Sequence, residues 1–163
     1  VIVGGNAVGL ETALYLASIG TLSPEVLHFL ITNNGESMDF IRERLNRGCK
    51  YVTVVEMTGK AGQDIGLSTR WTVLAELRRL GVRIMTNTKA LAIREDGLEV
   101  EKADGESFIE ADSVVLAVGS APNNDLSEEL NGLVPELHVI GDANKPRNAL
   151  DAIREGLMIG LKV

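Results

Sequence analysis

The stretch that decides the fold is VIVGGNAVGLETALYL, residues 1–16, where an apolar run leads into a glycine-rich turn and then into a helical pattern. Val1–Val3 is predicted to be the end of a buried strand, and Leu10–Ile19 a helix that ends at Gly20. A strand, a glycine turn and a helix in this order are typical of a dinucleotide-binding unit. The chain is therefore predicted to begin inside a strand that feeds a phosphate-binding turn.

Each part of this turn has a predicted task. Gly4 permits the sharp turn, and Gly9 lets the helix and strand pack closely. Backbone amides at the helix N-terminus are expected to face a pyrophosphate, where the helix dipole favours negative charge. The predicted cofactor-binding residues of the turn are Gly4, Gly5, Asn6, Ala7, Val8 and Gly9. The alternative is a glycine turn that only packs.

Asn6 stands where such turns normally have glycine. Asparagine is one of the side chains that best tolerate a positive φ. Asn6 is therefore predicted to keep the turn in a left-handed conformation while crowding the phosphate. This substitution affects the expected tightness of nucleotide binding and leaves its location unchanged.

A second strand, KYVTVVEM, ends at Glu56. A carboxylate there is expected to accept hydrogen bonds from the adenosine ribose hydroxyls and to repel a 2′-phosphate, which favours NADH over NADPH. Glu56 follows Gly9 by 47 residues, whereas the usual gap is about 20. Two amphipathic helices within residues 21–48 account for the difference and predict an inserted helical hairpin, the first helix beginning at Ser23-Pro24-Glu25.

The remaining elements complete a predicted α/β fold, a Rossmann-like parallel sheet with helices on both faces. A helix capped by Ser68 is expected to bury a stripe that begins at Trp71. Residues 83–110 predict a small antiparallel β-meander, 113–119 a buried strand, 136–143 another strand and 148–161 a final helix. We expect an NAD(H)-binding domain at 1–120, followed at 121–163 by a linker and the C-terminal segment of a truncated second domain.

Composition excludes several classes of function. The net charge of −7 disfavours nucleic acid and anionic membrane surfaces as partners. Apolar runs are too short for a transmembrane helix. Cys49 is the only cysteine, so no internal disulfide and no Cys-x-x-Cys pair is available, and a reducing cytoplasm is the expected compartment. We predict no catalytic side chain and no metal site.

The four stretches at 1–16, 52–57, 114–126 and 137–156 resemble, in this order, the pyridine-nucleotide half of multi-domain flavoenzymes similar to 2-enoate reductase and 2,4-dienoyl-CoA reductase. The hairpin TLSPEVLHFLITNNGES is most similar to the 2-enoate reductase branch, which includes NADH:flavin oxidoreductases of the old yellow enzyme class. By resemblance, an FMN-bearing β/α barrel and an iron–sulfur cluster precede an FAD- and NAD(P)H-binding region, and electrons pass from NADH through FAD to FMN. The resemblance therefore implies a fragment of such an enzyme, inactive when isolated.

The same resemblance assigns further residues. Gly119 matches the turn that lines the cofactor pocket, and Glu11 a helix carboxylate near the nicotinamide, with a dipole-stabilising surface glutamate as the alternative. Gly141 and Asp142 match the motif whose aspartate binds FAD, so the resemblance implies that the truncated second domain at 121–163 is an FAD-binding domain. The missing FAD-binding half and FMN barrel are the implied partners. We expect the exposed tail after residue 137 to fold back or to pair with a second copy in a non-native dimer.

Two other functions stay open at this point. One is the NADH-binding part of a flavoprotein disulfide reductase or NADH oxidase, whose Cys-x-x-Cys pair would lie in the missing half. The other is a vestigial module that holds ADP without catalysis. Glu56 does not separate these alternatives, because ADP and NADH carry the same adenosine ribose.

Overall fold

The computed structural model describes residues 1–163 and divides them into two compact units, Val1–Val118 and Gly119–Val163. The helices of the first unit are α1 (Ala7–Ser18), α2 (Pro24–Thr32), α3 (Met38–Asn46) and α4 (Leu67–Arg79). Its strands are β1 (Ile2–Val3), β2 (Thr53–Val55), β3 (Arg83–Met85), β4 (Lys89–Arg94), β5 (Gly97–Lys102), β6 (Gly105–Glu110) and β7 (Val115–Leu116). None of the helices has the length and apolar character that crossing a membrane requires.

A parallel sheet in the order β3-β2-β1-β7 forms the centre of the first unit. Ile2 lies opposite Val54 on one side and Val115 on the other. Because successive residues of a strand face opposite sides of the sheet, Ile2 and Val54 pack with α1 and α4. Val3 and Val55 face the other side of the sheet, where they pack against Leu98 and Val100 of β5.

The predicted fold class is confirmed: the protein is α/β, with a parallel sheet and a separate three-stranded antiparallel sheet of order β4-β5-β6. The second face of the parallel sheet is covered by this meander, where the sequence predicted helices. Leu98 and Val100 are fully buried from the meander side. Alternating apolar residues on β5 supply the apolar layer that a helix would otherwise provide.

The predicted start of the meander, residue 83, is wrong. Arg83–Met85 pairs in parallel with β2, so it belongs to the central sheet and the meander runs from Lys89 to Glu110. β4 and β5 form a tight hairpin, since Arg94 pairs with Gly97 across the turn between them. A three-residue strand carries no local signal that distinguishes a parallel from an antiparallel partner.

The predicted helical hairpin is confirmed as α2 and α3. Ser23 caps α2 by accepting from the Val26 N–H, and Ser37 caps α3 by accepting from the Phe40 N–H. Ile41 is the one buried residue of the pair. The hairpin is therefore defined by its caps and turns more than by burial.

The predicted burial of Trp71 is wrong, because its side chain is 67% exposed, whereas Leu77 and Leu80 are buried. An α-helix turns about 100° per residue, so residues spaced by three drift about 60° around the helix at each step. Trp71 and Leu80 consequently lie on opposite sides of α4. The predicted Ser68 cap is also wrong: α4 begins after Gly66 without a side-chain cap.

The second unit contains α5 (Asp125–Leu130), a 3₁₀ helix (Gly141–Ala143) and α6 (Ala149–Gly160). The strand predicted at residues 136–143 does not form. A strand needs a hydrogen-bonded neighbour, and the second unit contains no other strand. Asn148 caps α6 by accepting from the Asp151 N–H.

Candidate dinucleotide-binding site

The glycine turn is built so that two of its positions accept no side chain. Gly4 has φ +108°, and a Cβ atom there would lie 2.1 Å from the Ala117 carbonyl oxygen. A Cβ atom at Gly9 would lie 1.9 Å from the carbonyl oxygen of Gly4. Both clashes are with backbone, which cannot give way as a side chain can. The close approach of α1 to β1 and the segment after β7 therefore depends on these glycines.

Asn6 does not adopt the predicted left-handed conformation, because its φ is −79° and its ψ −178°. It is instead the N-cap of α1: its Oδ1 accepts from the Gly9 N–H at 2.9 Å. Its Nδ2 donates to the Ala117 carbonyl oxygen at 2.5 Å. Asparagine at this position thus ties the helix start to the segment after β7, which a glycine cannot do.

The backbone N–H groups of the turn divide into engaged and free donors. Gly5 donates to Glu56 Oε2 at 2.7 Å. Ala7 donates to both carboxylate oxygens of Asp64, at 3.0 and 2.9 Å. The Asn6 and Val8 N–H groups have no protein acceptor. The N-terminus of α1 therefore already holds one carboxylate and retains two donors for a further anion.

Glu56 is fixed by two backbone donors. In addition to Gly5, the Thr58 N–H donates to Glu56 Oε1 at 2.7 Å. Partial burial acts to raise the pKa of Glu56, but the hydrogen bonds from Thr58 and Gly5 outweigh it, so the pKa lies below its ordinary value. The carboxylate is therefore ionised at neutral pH, and each oxygen keeps a lone pair for a ligand hydroxyl.

A cavity of about 660 Å³ opens beside this carboxylate. It lies at the carboxyl ends of β1, β2 and β7 and is closed on one side by β4. Asn6, Glu56 and Thr88 contribute polar groups to a wall that is otherwise largely aliphatic. Ligands of parallel α/β sheets bind at this edge, and the volume lies within the usual range for small-molecule sites.

The structure brings some of the predicted residues together and leaves others apart. Gly4, Asn6 and Glu56 line the cavity, and the rest of the turn adjoins it along the chain. Glu11 is exposed on α1 and does not line the cavity. Gly119 has φ +97° and directly follows the lining residue Val118. The roles predicted for these residues stay predictions.

Gly141 and Asp142 form a local hydrogen-bonded motif within the second unit. The Gly141 N–H donates to Glu155 Oε2 at 2.7 Å, and Arg147 pairs with the other oxygen of Glu155. The hydrogen bond from Arg147, followed by that from Gly141, lowers the pKa of Glu155. Arg147 thus contacts α6, and the flavin role of Gly141 and Asp142 stays a prediction.

Sequence reasoning missed three groups that shape the site: the Asp64 carboxylate, the Thr58 N–H and the Ala117 carbonyl. Two of these are backbone groups, which no residue type reveals. Asp64 lies in the loop between β2 and α4. Its only signal in the sequence was weak: it is an acidic residue two positions before Gly66, after which α4 begins. Nothing local connects it to a turn 57 residues earlier.

Comparison with known proteins places these observations in a family. The family model described as pyridine nucleotide-disulphide oxidoreductase matches residues 1–156. A metal reductase of Desulforamulus reducens is 45% identical over 99% of this chain and 24% of its own length. A cinnamate reductase of Clostridium sporogenes is 28% identical over 94% of this chain and 19% of its own.

A solved structure agrees with these relatives. A 2-naphthoyl-CoA reductase in complex with 2-naphthoyl-CoA superposes with a TM-score of 0.72 at 26% identity, over 99% of this chain and 20% of that chain. The present chain therefore spans about a quarter or less of the length of the proteins it matches.

Proposed function

The chain belongs to the pyridine nucleotide-disulphide oxidoreductase family, and we propose that it is the NADH-binding domain of a multi-domain flavin-dependent oxidoreductase. The observation that carries this proposal is the position of Glu56. Its ionised carboxylate is fixed to the glycine turn by the Gly5 N–H and lines a cavity at the carboxyl ends of the parallel strands. This combination of acid, turn and cavity supports recognition of an adenosine ribose and a pyrophosphate.

The residues present fit an adenine dinucleotide. The N–H groups of Asn6 and Val8 and the N-terminus of α1 offer donors to a pyrophosphate. The free lone pairs of Glu56 accept from the ribose hydroxyls. The aliphatic wall of the cavity, which includes Met57 and Leu98, suits a flat purine ring.

Glu56 also supports a preference for NADH over NADPH. A 2′-phosphate would have to lie beside the same carboxylate that accepts the 2′-hydroxyl, and two negative groups at this distance repel. The lowered pKa of Glu56 means that the carboxylate keeps its charge at neutral pH. Its two backbone hydrogen bonds disfavour its moving aside.

The parent activity that we propose is reduction of an activated carbon–carbon double bond, as in ene-reductases of the 2-enoate reductase type. A cinnamate reductase among the relatives supports this class. When bound, NADH supplies a hydride to FAD, and an FMN barrel and an iron–sulfur cluster complete the electron path in the proposed parent. In this chain Gly141 and Asp142 are the residues proposed to face FAD. The isolated domain is proposed to be inactive.

A second candidate is a module that holds ADP without passing electrons. The observation that favours it is Glu11, which the resemblance placed near the nicotinamide but which is exposed on α1 and does not line the cavity. Both candidates predict binding of the ADP moiety. They differ in the nicotinamide half, which only the first requires.

Isothermal titration calorimetry of the purified chain with NADH, NADPH and ADP tests the proposal. We expect NADH to bind at least about ten times more tightly than NADPH, because a charge conflict of about 1.4 kcal/mol corresponds to that ratio. In Glu56→Gln the ratio should shrink towards one, while Glu106→Gln, an exposed carboxylate on β6, should leave it unchanged. Equal binding of NADH and NADPH by the unaltered chain would overturn the assignment. ADP binding as tight as NADH binding would favour the second candidate.

A further inference from the structure

The Asp64 carboxylate lies at the N-terminus of α1, where the protein itself supplies an anion to the helix. Both of its oxygens lie within 3.0 Å of the Ala7 backbone nitrogen, at the first residue of α1. The loop that carries it is also tied to the turn by a hydrogen bond of 2.5 Å from the Gly62 N–H to the Gly5 carbonyl oxygen. The carboxylate is thus held in place by the fold of the loop.

The Ala7 N–H is one of the donors that a bound pyrophosphate would use. It lies between the two free donors of the turn, Asn6 and Val8. The N-terminus of a helix attracts one anion through its free N–H groups and its dipole. A second anion at the same amide would find the N–H donor already taken, and it would be repelled by the charge of the first anion.

We propose that Asp64 sets the affinity of the dinucleotide site by competing with the cofactor pyrophosphate for the Ala7 N–H. In the free protein the carboxylate satisfies this donor and the helix dipole. In the bound protein a phosphate oxygen takes the donor, and the Asp64 side chain turns to solvent, which its exposed position permits. This inference rests on the proposed function, because it assumes that a pyrophosphate binds at the turn.

The competition has a specific consequence for ligand choice. Only ligands with phosphate groups displace Asp64, so the carboxylate weakens binding of ADP-ribose and leaves binding of adenosine unchanged. A residue that only stabilised the loop would affect both ligands alike, because the loop also adjoins Glu56 through Thr58. The ratio of the two affinities therefore separates competition from a structural role.

The test is calorimetry of ADP-ribose and adenosine with the unaltered chain and with Asp64→Asn, at physiological salt. We expect ADP-ribose to bind about 3- to 10-fold more tightly to the variant, the range for losing an exposed charge-assisted hydrogen bond. Adenosine binding should not change. Asp104→Asn, at an exposed position between β5 and β6, controls for the general loss of one negative charge.

A second measurement does not depend on affinity. In the ¹⁵N-labelled free protein the Ala7 amide resonance should differ between the unaltered chain and Asp64→Asn, and saturation with ADP-ribose should bring the two resonances together, because a phosphate oxygen then takes the same donor in both. Unchanged or weaker ADP-ribose binding in Asp64→Asn, relative to Asp104→Asn, overturns the inference alone when adenosine still binds. Failure of both ligands to bind any of the three proteins overturns the proposed function, and the inference with it.

Discussion

The Oε2 atom of Glu56 lies 2.7 Å from the backbone nitrogen of Gly5, 51 residues earlier in the chain. The contact joins the end of β2 to the turn after β1, two strands that are neighbours in the parallel sheet. One carboxylate therefore both secures the glycine turn and presents acceptors to the cavity. A substitution of Glu56 should therefore change both the stability of the domain and its preference between NADH and NADPH.

The first prediction concerns acid stability. The folded-state pKa of Glu56 lies below its usual value near 4.5, so its stabilising effect is complete above that value and is lost as the pH falls through the folded-state pKa. Glu56→Gln should lower the free energy of unfolding at pH 7 by about 1 kcal/mol, discounted for partial exposure. Urea titrations from pH 7 downward should show the two proteins converging in acid. Parallel pH profiles would contradict the assigned hydrogen bonds.

The second prediction concerns the closest backbone approach in the site. Gly9→Ala places a Cβ atom 1.9 Å from the Gly4 carbonyl oxygen, so α1 must move away from β1. We expect a loss of about 1–3 kcal/mol in unfolding free energy, the range for overpacking a rigid site. Gly66→Ala is the control, because no atom lies within 4 Å of its added Cβ. Equal stability of the two variants in urea would show that the clash relaxes without cost.

The third prediction separates the two hydrogen bonds of Asn6. Asn6→Ser keeps a cap for the Gly9 N–H but loses the bond to the Ala117 carbonyl, and Asn6→Ala loses both. Each bond contributes about 1 kcal/mol, so denaturant titration should rank the unaltered protein above Asn6→Ser, and Asn6→Ser above Asn6→Ala. If Asn6→Ser is no more stable than Asn6→Ala, the hydrogen bond that caps α1 does not contribute to stability.

The fourth prediction concerns flavin. We expect the purified chain to contain no stoichiometric FAD and to show no NADH-dependent dye reduction, because hydride transfer requires a flavin held against the nicotinamide. Gly141 and Asp142 are the only residues that the proposal assigns to FAD, and the Gly141 N–H is already bonded to Glu155, so the isolated chain is not expected to retain a flavin. Absorbance between 350 and 500 nm and a dye-reduction assay, with and without added FAD, provide the measurement; tightly bound FAD would refute this expectation.

The fifth prediction concerns self-association. Four exposed apolar residues lie along one face of α6 and its C-cap, namely Leu150, Ile153, Leu157 and Leu161. Exposed apolar stripes of this kind favour association, and we expect the isolated chain to dimerise through this face. Sedimentation should show a dimer that Ile153→Glu with Leu157→Glu converts to a monomer, while Arg42→Glu, an exposed residue of α3 whose substitution changes the net charge by the same amount, does not. A monomeric unaltered chain at micromolar concentration would exclude this dimer.

Much of the fold could be predicted because its signals are local. Ser23-Pro24 predicts a helix start wherever the segment packs, since the cap uses atoms three residues apart. Trp71 shows the limit of the same approach. Its three-residue spacing from other apolar residues resembles a helical stripe, yet the helix geometry carries it around to the exposed side.

The strand expected at 136–143 fails for a different reason. Its apolar residues satisfy the local pattern, but a strand forms only where another strand offers hydrogen bonds. The second unit contains none. Local pattern therefore predicts the capacity to form a strand, and the available partners decide whether it forms.

The sequence by itself determined the order of strand, glycine turn and helix at residues 1–16 and the acid at the end of β2, because glycine sterics and hydrophobic spacing act between near neighbours. Only the tertiary structure decided which carboxylates accept hydrogen bonds from the backbone N–H groups of that turn. Glu56 and Asp64 reach Gly5 and Ala7 across 51 and 57 residues. Such contacts depend on the register of the sheet and the path of the loop after β2, which are set by packing of the whole unit and by no local preference of the residues that meet there.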